Sequence, residues 1–133
     1  PTRELALQIS ENFRQYAGGL NISHTTIFGG VSQVNQVKDL RRGVDVIIAT
    51  PGRLLDLMNQ GYIRLDAIEY FVLDEADRML DMGFVNDMRF MMAKMPQVRH
   101  TLFFSATLSK EIEQLIGEFL NNLFGFFKKL KPV

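Results

Sequence analysis

A chain of 133 residues can bury one hydrophobic core of ordinary domain size, and its 15 basic and 15 acidic side chains cancel to a formal charge of +0. Polyanion binding therefore has to come from local placement rather than from a global field. The absence of cysteine excludes disulfides and thiolate metal sites and fits a reducing, cytoplasmic interior, and no run approaches the roughly 20 apolar residues of a membrane span.

The chain opens Pro1-Thr2-Arg3, without an initiator Met or a signal-like segment, and reads as a piece of a longer polypeptide. Over residues 4–16 the apolar positions Leu5, Ile9, Phe13 and Tyr16 fall at helical spacing, and Gly18-Gly19 supplies the stop. Residues 24–28 form a short β-branched strand closed by Gly29-Gly30. A helix over 31–42 then carries Val34, Val37 and Leu40 on one face and ends at Gly43. The apolar run 44–49 is the next strand. Thr50 is placed to cap the helix that follows, Pro51 suits its first turn, Leu54, Leu55 and Met58 face inward, and Gly61 ends it.

Residues 70–73 (Tyr-Phe-Val-Leu) are too short for a helix and read as a buried strand that runs into three carboxylates, Asp74, Glu75 and Asp77. Helices over 77–82 and 85–95 follow, the second with Met88, Met91, Met92 and Met95 at helical spacing as adaptable core filling. Residues 101–104 are a further buried strand ending in Ser105-Ala106-Thr107. Ser109 caps a last helix whose core face is Ile112, Leu115, Ile116 and Phe119. Residues 123–127 are apolar and precede Lys128, Lys129 and Lys131, which leaves an edge strand and a frayed end as alternatives. The regular alternation of strand and helix predicts an α/β, three-layer fold with a mostly parallel sheet flanked by helices.

Open α/β sheets bind ligands at the carboxyl ends of their strands, which is where Asp74 and Glu75 fall. A hard cation such as Mg²⁺ takes one or two carboxylates plus waters and phosphates, so Asp74 is a candidate metal ligand, with Glu75 beside it to orient or deprotonate a water. A strand running into a solvated acidic turn is the alternative. Helices expected at Thr2-Arg3, after Gly29-Gly30 and at Thr50-Pro51-Gly52-Arg53 offer N–H groups and positive dipole ends that suit phosphate, and Arg3 and Arg53 add charge. Ordinary capping explains each of them singly; together with the carboxylates they point to a nucleic-acid backbone passing beside a nucleotide site. Ser105 and Thr107 are placed to hydrogen-bond Asp77. His24 and His100 lack partners at metal-ligand spacing and read as surface residues.

In order and spacing, Pro1-Thr2-Arg3-Glu4-Leu5-Ala6, Gly29-Gly30, Thr50-Pro51-Gly52-Arg53, Asp74-Glu75-Ala76-Asp77 and Ser105-Ala106-Thr107 resemble the successive motifs of DEAD-box RNA helicases. Residues 43–50 and 78–84 look most like bacterial RhlE-type members. The resemblance implies a partial RecA-like (P-loop NTPase) domain over residues 1–122, followed by a divergent tail over 123–133. It implies ATP and Mg²⁺ as cofactors of the intact parent, RNA held by its backbone without sequence preference, and local unwinding of short duplexes. By position, Asp74 with Glu75 would hold the metal and Glu75 would activate water. Asp77, Ser105 and Thr107 would couple nucleotide state to RNA, while Pro1, Thr2, Arg3, Gly29, Gly30, Thr50, Pro51, Gly52 and Arg53 would line the RNA track.

The departures are as informative. No G-x-x-x-x-G-K-[ST] phosphate loop occurs in the 133 residues, and the family's adenine-recognising segment and second RecA-like domain are also absent. The missing segments are then the expected partners, self-association through exposed sheet edges is a further expectation, and the isolated piece should be inactive. The competing reading is a nucleic-acid or protein interaction module without ATPase activity.

Overall fold

A computed structural model describes residues 2–120, whose elements alternate as the sequence predicts. They fall into two compact units, Pro1–Asp66 and Ala67–Val133. Residues 121–133, and with them the expected edge strand and tail, lie outside the described residues, as does Pro1. No helix among the described residues is long and apolar enough to cross a membrane.

The first unit runs α1 (Arg3–Ala17), β1 (His24–Ile27), α2 (Val34–Arg42), β2 (Val46–Ala49) and α3 (Pro51–Asn59). β1 and β2 pair in parallel, with His24 opposite Val46 and Ile27 opposite Ala49. α1 packs on both strands and α2 on β1, and Ala6, Ile27, Ile48 and Leu57 are buried. The helical phase differs from expectation at three places: Tyr16 and Val34 are exposed, and Leu57 rather than Leu54 is the buried leucine of α3. On α2 the stripe at helical spacing is Gln33, Gln36, Val37 and Leu40, which turns Val34 outward and Gln36 in. His24 is not the bare surface residue expected, since its ring lies 4.7 Å from that of Phe13 and its Nε2 is 3.2 Å from the Ser10 hydroxyl.

The second unit runs β3 (Tyr70–Leu73), α4 (Ala76–Asp81), α5 (Val85–Ala93), β4 (His100–Phe103) and α6 (Lys110–Leu120). β3 and β4 are parallel, with Tyr70 opposite His100 and Leu73 opposite Phe103. The core gathers the expected Met88, Met91, Met92 and Met95 with Ile112, Leu115, Ile116 and Phe119, all buried. Ser109 caps α6 as predicted, its hydroxyl accepting the Ile112 N–H at 3.2 Å. Both strands were expected to be buried, yet among the described residues only one sheet face is covered. Tyr70, Val72, Leu102 and Phe104 remain 68%, 52%, 53% and 52% exposed, while Leu73 is buried and Phe103 packs on Phe119. Both sheets are parallel and flanked by helices, which gives the α/β class. Among the described residues each sheet has two strands.

Candidate functional site

In the second unit the carboxyl ends of β3 and β4 are tied by their backbones: Phe104 N–H donates to the Leu73 carbonyl at 2.8 Å and Ala76 N–H to the Phe104 carbonyl at 3.1 Å. This short ladder fixes the turn bearing Asp74 and Glu75. Asp74 turns Oδ1 onto the Glu75 N–H at 2.8 Å, an oxygen accepting a local backbone donor. Glu75 has φ 55° and ψ 43°, and among the described residues it is the non-glycine with positive φ. A left-handed L-residue costs roughly 1–2 kcal/mol, and such strain gathers where side-chain placement matters more than backbone comfort.

Asp77, on the first turn of α4, reaches across to the segment after β4. Its Oδ2 accepts both the N–H and the hydroxyl of Thr107, each at 3.1 Å, and its Oδ1 accepts the Arg78 N–H at 3.0 Å. Partial desolvation pushes the Asp77 carboxyl up, but the bonds from Thr107 and Arg78 outweigh it and hold the group below its ordinary value of 3.8. Ser105 exerts the smallest pull on Asp77, and its hydroxyl also donates to the Thr107 carbonyl at 2.8 Å. Asp74, Glu75, Asp77, Ser105 and Thr107 thus gather at one end of one sheet.

The described residues contain no group of three His, Asp or Glu side chains able to enclose a metal. Mg²⁺ bound beside nucleotide phosphates needs only one or two protein carboxylates. The Asp74–Glu75 pair fits that sparse contribution and would not suit a metal held by protein alone.

In the first unit the predicted residues lie at two helix starts, those of α1 and α3, and in the loop between β1 and α2. Thr2 is the extended N-cap of α1, and its carbonyl accepts the Ala6 N–H at 2.8 Å. Arg3 places its guanidinium 4.9 Å from the centre of the Phe28 ring. Beside it Gly30 has φ 79°, a backbone angle that favours glycine, and a Cβ there would lie in ordinary contact with Arg3 Nη1 at 3.4 Å. The helix expected directly after Gly29-Gly30 begins only at Val34.

Thr50 is the N-cap residue of α3 with Pro51 in the first turn, but its side chain does not cap. The hydroxyl is directed to the Ile27 carbonyl at 3.5 Å, which the Thr50 N–H also reaches at 2.9 Å. Gly52 is exposed, lacks a positive φ, and a Cβ on it would meet nothing within 4 Å. Arg53, expected to offer charge outward, instead donates through Nη2 to the Val31 carbonyl at 2.7 Å and through Nη1 to Gln36 Oε1 at 3.2 Å. Gln36 in turn donates to the Phe28 carbonyl at 3.0 Å.

Phe28 and Gln36 are thus functional candidates that motif reading misses. The available signal was the spacing of Gln33, Gln36, Val37 and Leu40, which puts an amide on the buried side of α2.

The family model for DEAD/DEAH box helicases matches residues 1–115. An ATP-dependent RNA helicase DBP3 of Lodderomyces elongisporus is 49% identical over 122 residues, covering 91% of this chain and 23% of the relative. A probable ATP-dependent RNA helicase ddx17 of Dictyostelium discoideum is 48% identical over 122 residues, covering 92% of this chain and 16% of the relative. The crystal structure of a hypothetical ATP-dependent RNA helicase from Sulfolobus tokodaii superposes with a TM-score of 0.86 at 36% identity, covering 92% of this chain and 37% of the other. A DEAD box protein from Methanococcus jannaschii gives 0.84 at 38% identity, covering 90% and 32%. The chain spans less than a quarter of these curated relatives and just over a third, or less, of these solved chains. With helicase motifs at the strand ends and helix starts described above, and with the family matched over most of its length, this chain belongs to the DEAD/DEAH box helicases.

Proposed function

We propose that the chain is the part of an ATP-dependent RNA helicase that carries the metal- and water-handling carboxylates and part of the RNA track. Bound Mg-ATP supplies the γ-phosphoryl group whose charge the metal neutralises. Asp74 would hold the metal when it is bound, and Glu75 would orient the attacking water and take up its proton. Asp77, through Thr107 and behind it Ser105, ties this acidic turn to the segment after β4, so that a shift at one is felt at the other.

Thr2, Arg3, Gly29, Gly30, Thr50, Pro51 and Gly52, with Arg53 at the same helix start, form the RNA-facing surface, where N–H groups and a cation meet phosphates without reading bases. The observation that carries this assignment is Gly52. Neither backbone angle nor packing calls for glycine there, and glycine is a weaker helix former than alanine, so the open space suits a ligand backbone approaching closely.

Fluorescence anisotropy of the 133-residue chain with unrelated single-stranded RNAs tests the reading. Similar affinities are expected, with a salt slope of roughly −0.7 per phosphate contact. Gly52→Ala should leave thermal stability unchanged or raised while weakening RNA binding severalfold; undiminished binding would remove this helix start from the track. Because the sequence contains no phosphate loop, ATP hydrolysis by this chain should not exceed a buffer blank. RNA-stimulated turnover abolished by Glu75→Gln would contradict that expectation.

A further inference from the structure

Gln36 is buried, with 7% of its surface exposed, and both ends of its amide are used. Only the NH₂ can donate to the Phe28 carbonyl, at 3.0 Å, and only the amide oxygen can accept from the Arg53 guanidinium, at 3.2 Å, so chemistry fixes the amide's orientation. The other Arg53 nitrogen grips the Val31 carbonyl at 2.7 Å. The segment 28–31, which contains Gly29 and Gly30, is therefore held at both shoulders, from α2 at Phe28 and from α3 at Val31. The Phe28 ring also carries the Arg3 guanidinium, at 4.9 Å.

We infer that Gln36 is a positioning residue that sets the glycine segment and the starts of α1 and α3 in register as one RNA-facing surface, and that Arg53 serves that surface as an internal brace rather than as a phosphate contact. This rests on the RNA reading above. A brace and a contact differ in an observable way. Removing a cation that neutralises a phosphate flattens the dependence of log affinity on log salt by roughly 0.7, whereas removing a brace lowers affinity and leaves the slope unchanged.

The experiment uses the 133-residue chain with Gln36→Met, a linear apolar replacement, and with Arg53→Lys and Arg53→Ala, which keep Gln36 in place should Gln36→Met fail to fold. Backbone ¹⁵N relaxation is measured first, without RNA. Residues 29–32 should have order parameters near the rigid value of about 0.85 in the parent and fall towards about 0.6 in Gln36→Met and Arg53→Ala, with α1 unchanged. RNA affinity should then weaken about two- to tenfold in each variant, the size expected for one lost hydrogen-bonded link, at constant salt slope. Gln36→Met/Arg53→Ala should be weaker than either single variant, because both shoulders are then released, but by less than the product of the two effects, because the Gln36–Arg53 bond is lost only once.

Unchanged order over 29–32 in Gln36→Met overturns the inference whatever the RNA data show; where that variant does not fold, unchanged order in Arg53→Ala does so. A slope flattened by about 0.7 in Arg53→Ala overturns the brace role. If the parent chain binds no RNA, the functional reading fails by itself, and the relaxation data still decide whether Gln36 holds the segment.

Discussion

At Asp77 a single carboxylate joins two chain segments 30 residues apart, and its charge state therefore governs how firmly they are joined. The folded-state pKa lies below 3.8, so the native state binds fewer protons than the unfolded chain as pH falls through this range. The stability contributed by Asp77 is fully present above about pH 5 and is lost as pH drops below 3.8 through the lower folded value. Urea unfolding of the parent and of Asp77→Asn from pH 3 to pH 7 should give curves that differ by a constant amount at the upper end and converge at the lower. A difference that does not change with pH would show that the carboxylate's charge has no part in the link. Residue roles of this kind were partly legible in the sequence. Four letters place Asp74, Glu75 and Asp77 on one turn, but the left-handed backbone of Glu75 and the inward turn of Arg53 depend on neighbours distant in sequence.

At the scale of the element, periodicity predicted what packing required on α5 and α6. α6 shows this best, since its capping serine and its stripe of Ile112, Leu115, Ile116 and Phe119 all stand where the spacing put them. Ile112→Ala should cost about 2–5 kcal/mol through lost contact and a residual cavity. A loss below about 1 kcal/mol on chemical denaturation would mean that α6 is not integral to its unit's core. β3 and β4 show the converse. An apolar run states that burial is tolerated on both faces, but burial itself requires a second layer, and among the described residues Tyr70, Val72, Leu102 and Phe104 meet none. α2 failed for a different reason: a buried glutamine with both amide groups bonded costs little, so hydrophobicity alone chose Val34 over Gln36.

At the scale of the molecule, the sheets are two-stranded and one apolar face of β3 and β4 is uncovered among the described residues, and these features should govern behaviour in solution. A two-stranded sheet leaves backbone donors and acceptors along both edges, and such edges recruit further strands. With a formal charge of +0, no net repulsion keeps copies apart. The chain should therefore associate with a second copy through this face, with mass by light scattering rising with concentration. Val72→Lys/Leu102→Lys, on the exposed face and remote from the buried core, should shift the population towards monomer. A monomer at every concentration in the parent would refute this expectation.

The distribution of methionine gives the chain a built-in chemical reporter. Of its seven methionines only Met58 lies in Pro1–Asp66; Met79, Met88, Met91, Met92 and Met95 are buried in the other unit, and Met82 is exposed there. Peroxide converts accessible thioethers to sulfoxides and spares those shielded by packing. Under mild oxidation Met82 sets the unprotected rate, and the lag of the five buried sulfurs behind it measures how often the methionine-rich core opens. Mass spectrometry would thus follow the opening of the methionine-rich unit through five sulfurs, while half-buried Met58 in the other unit is not fully shielded by packing.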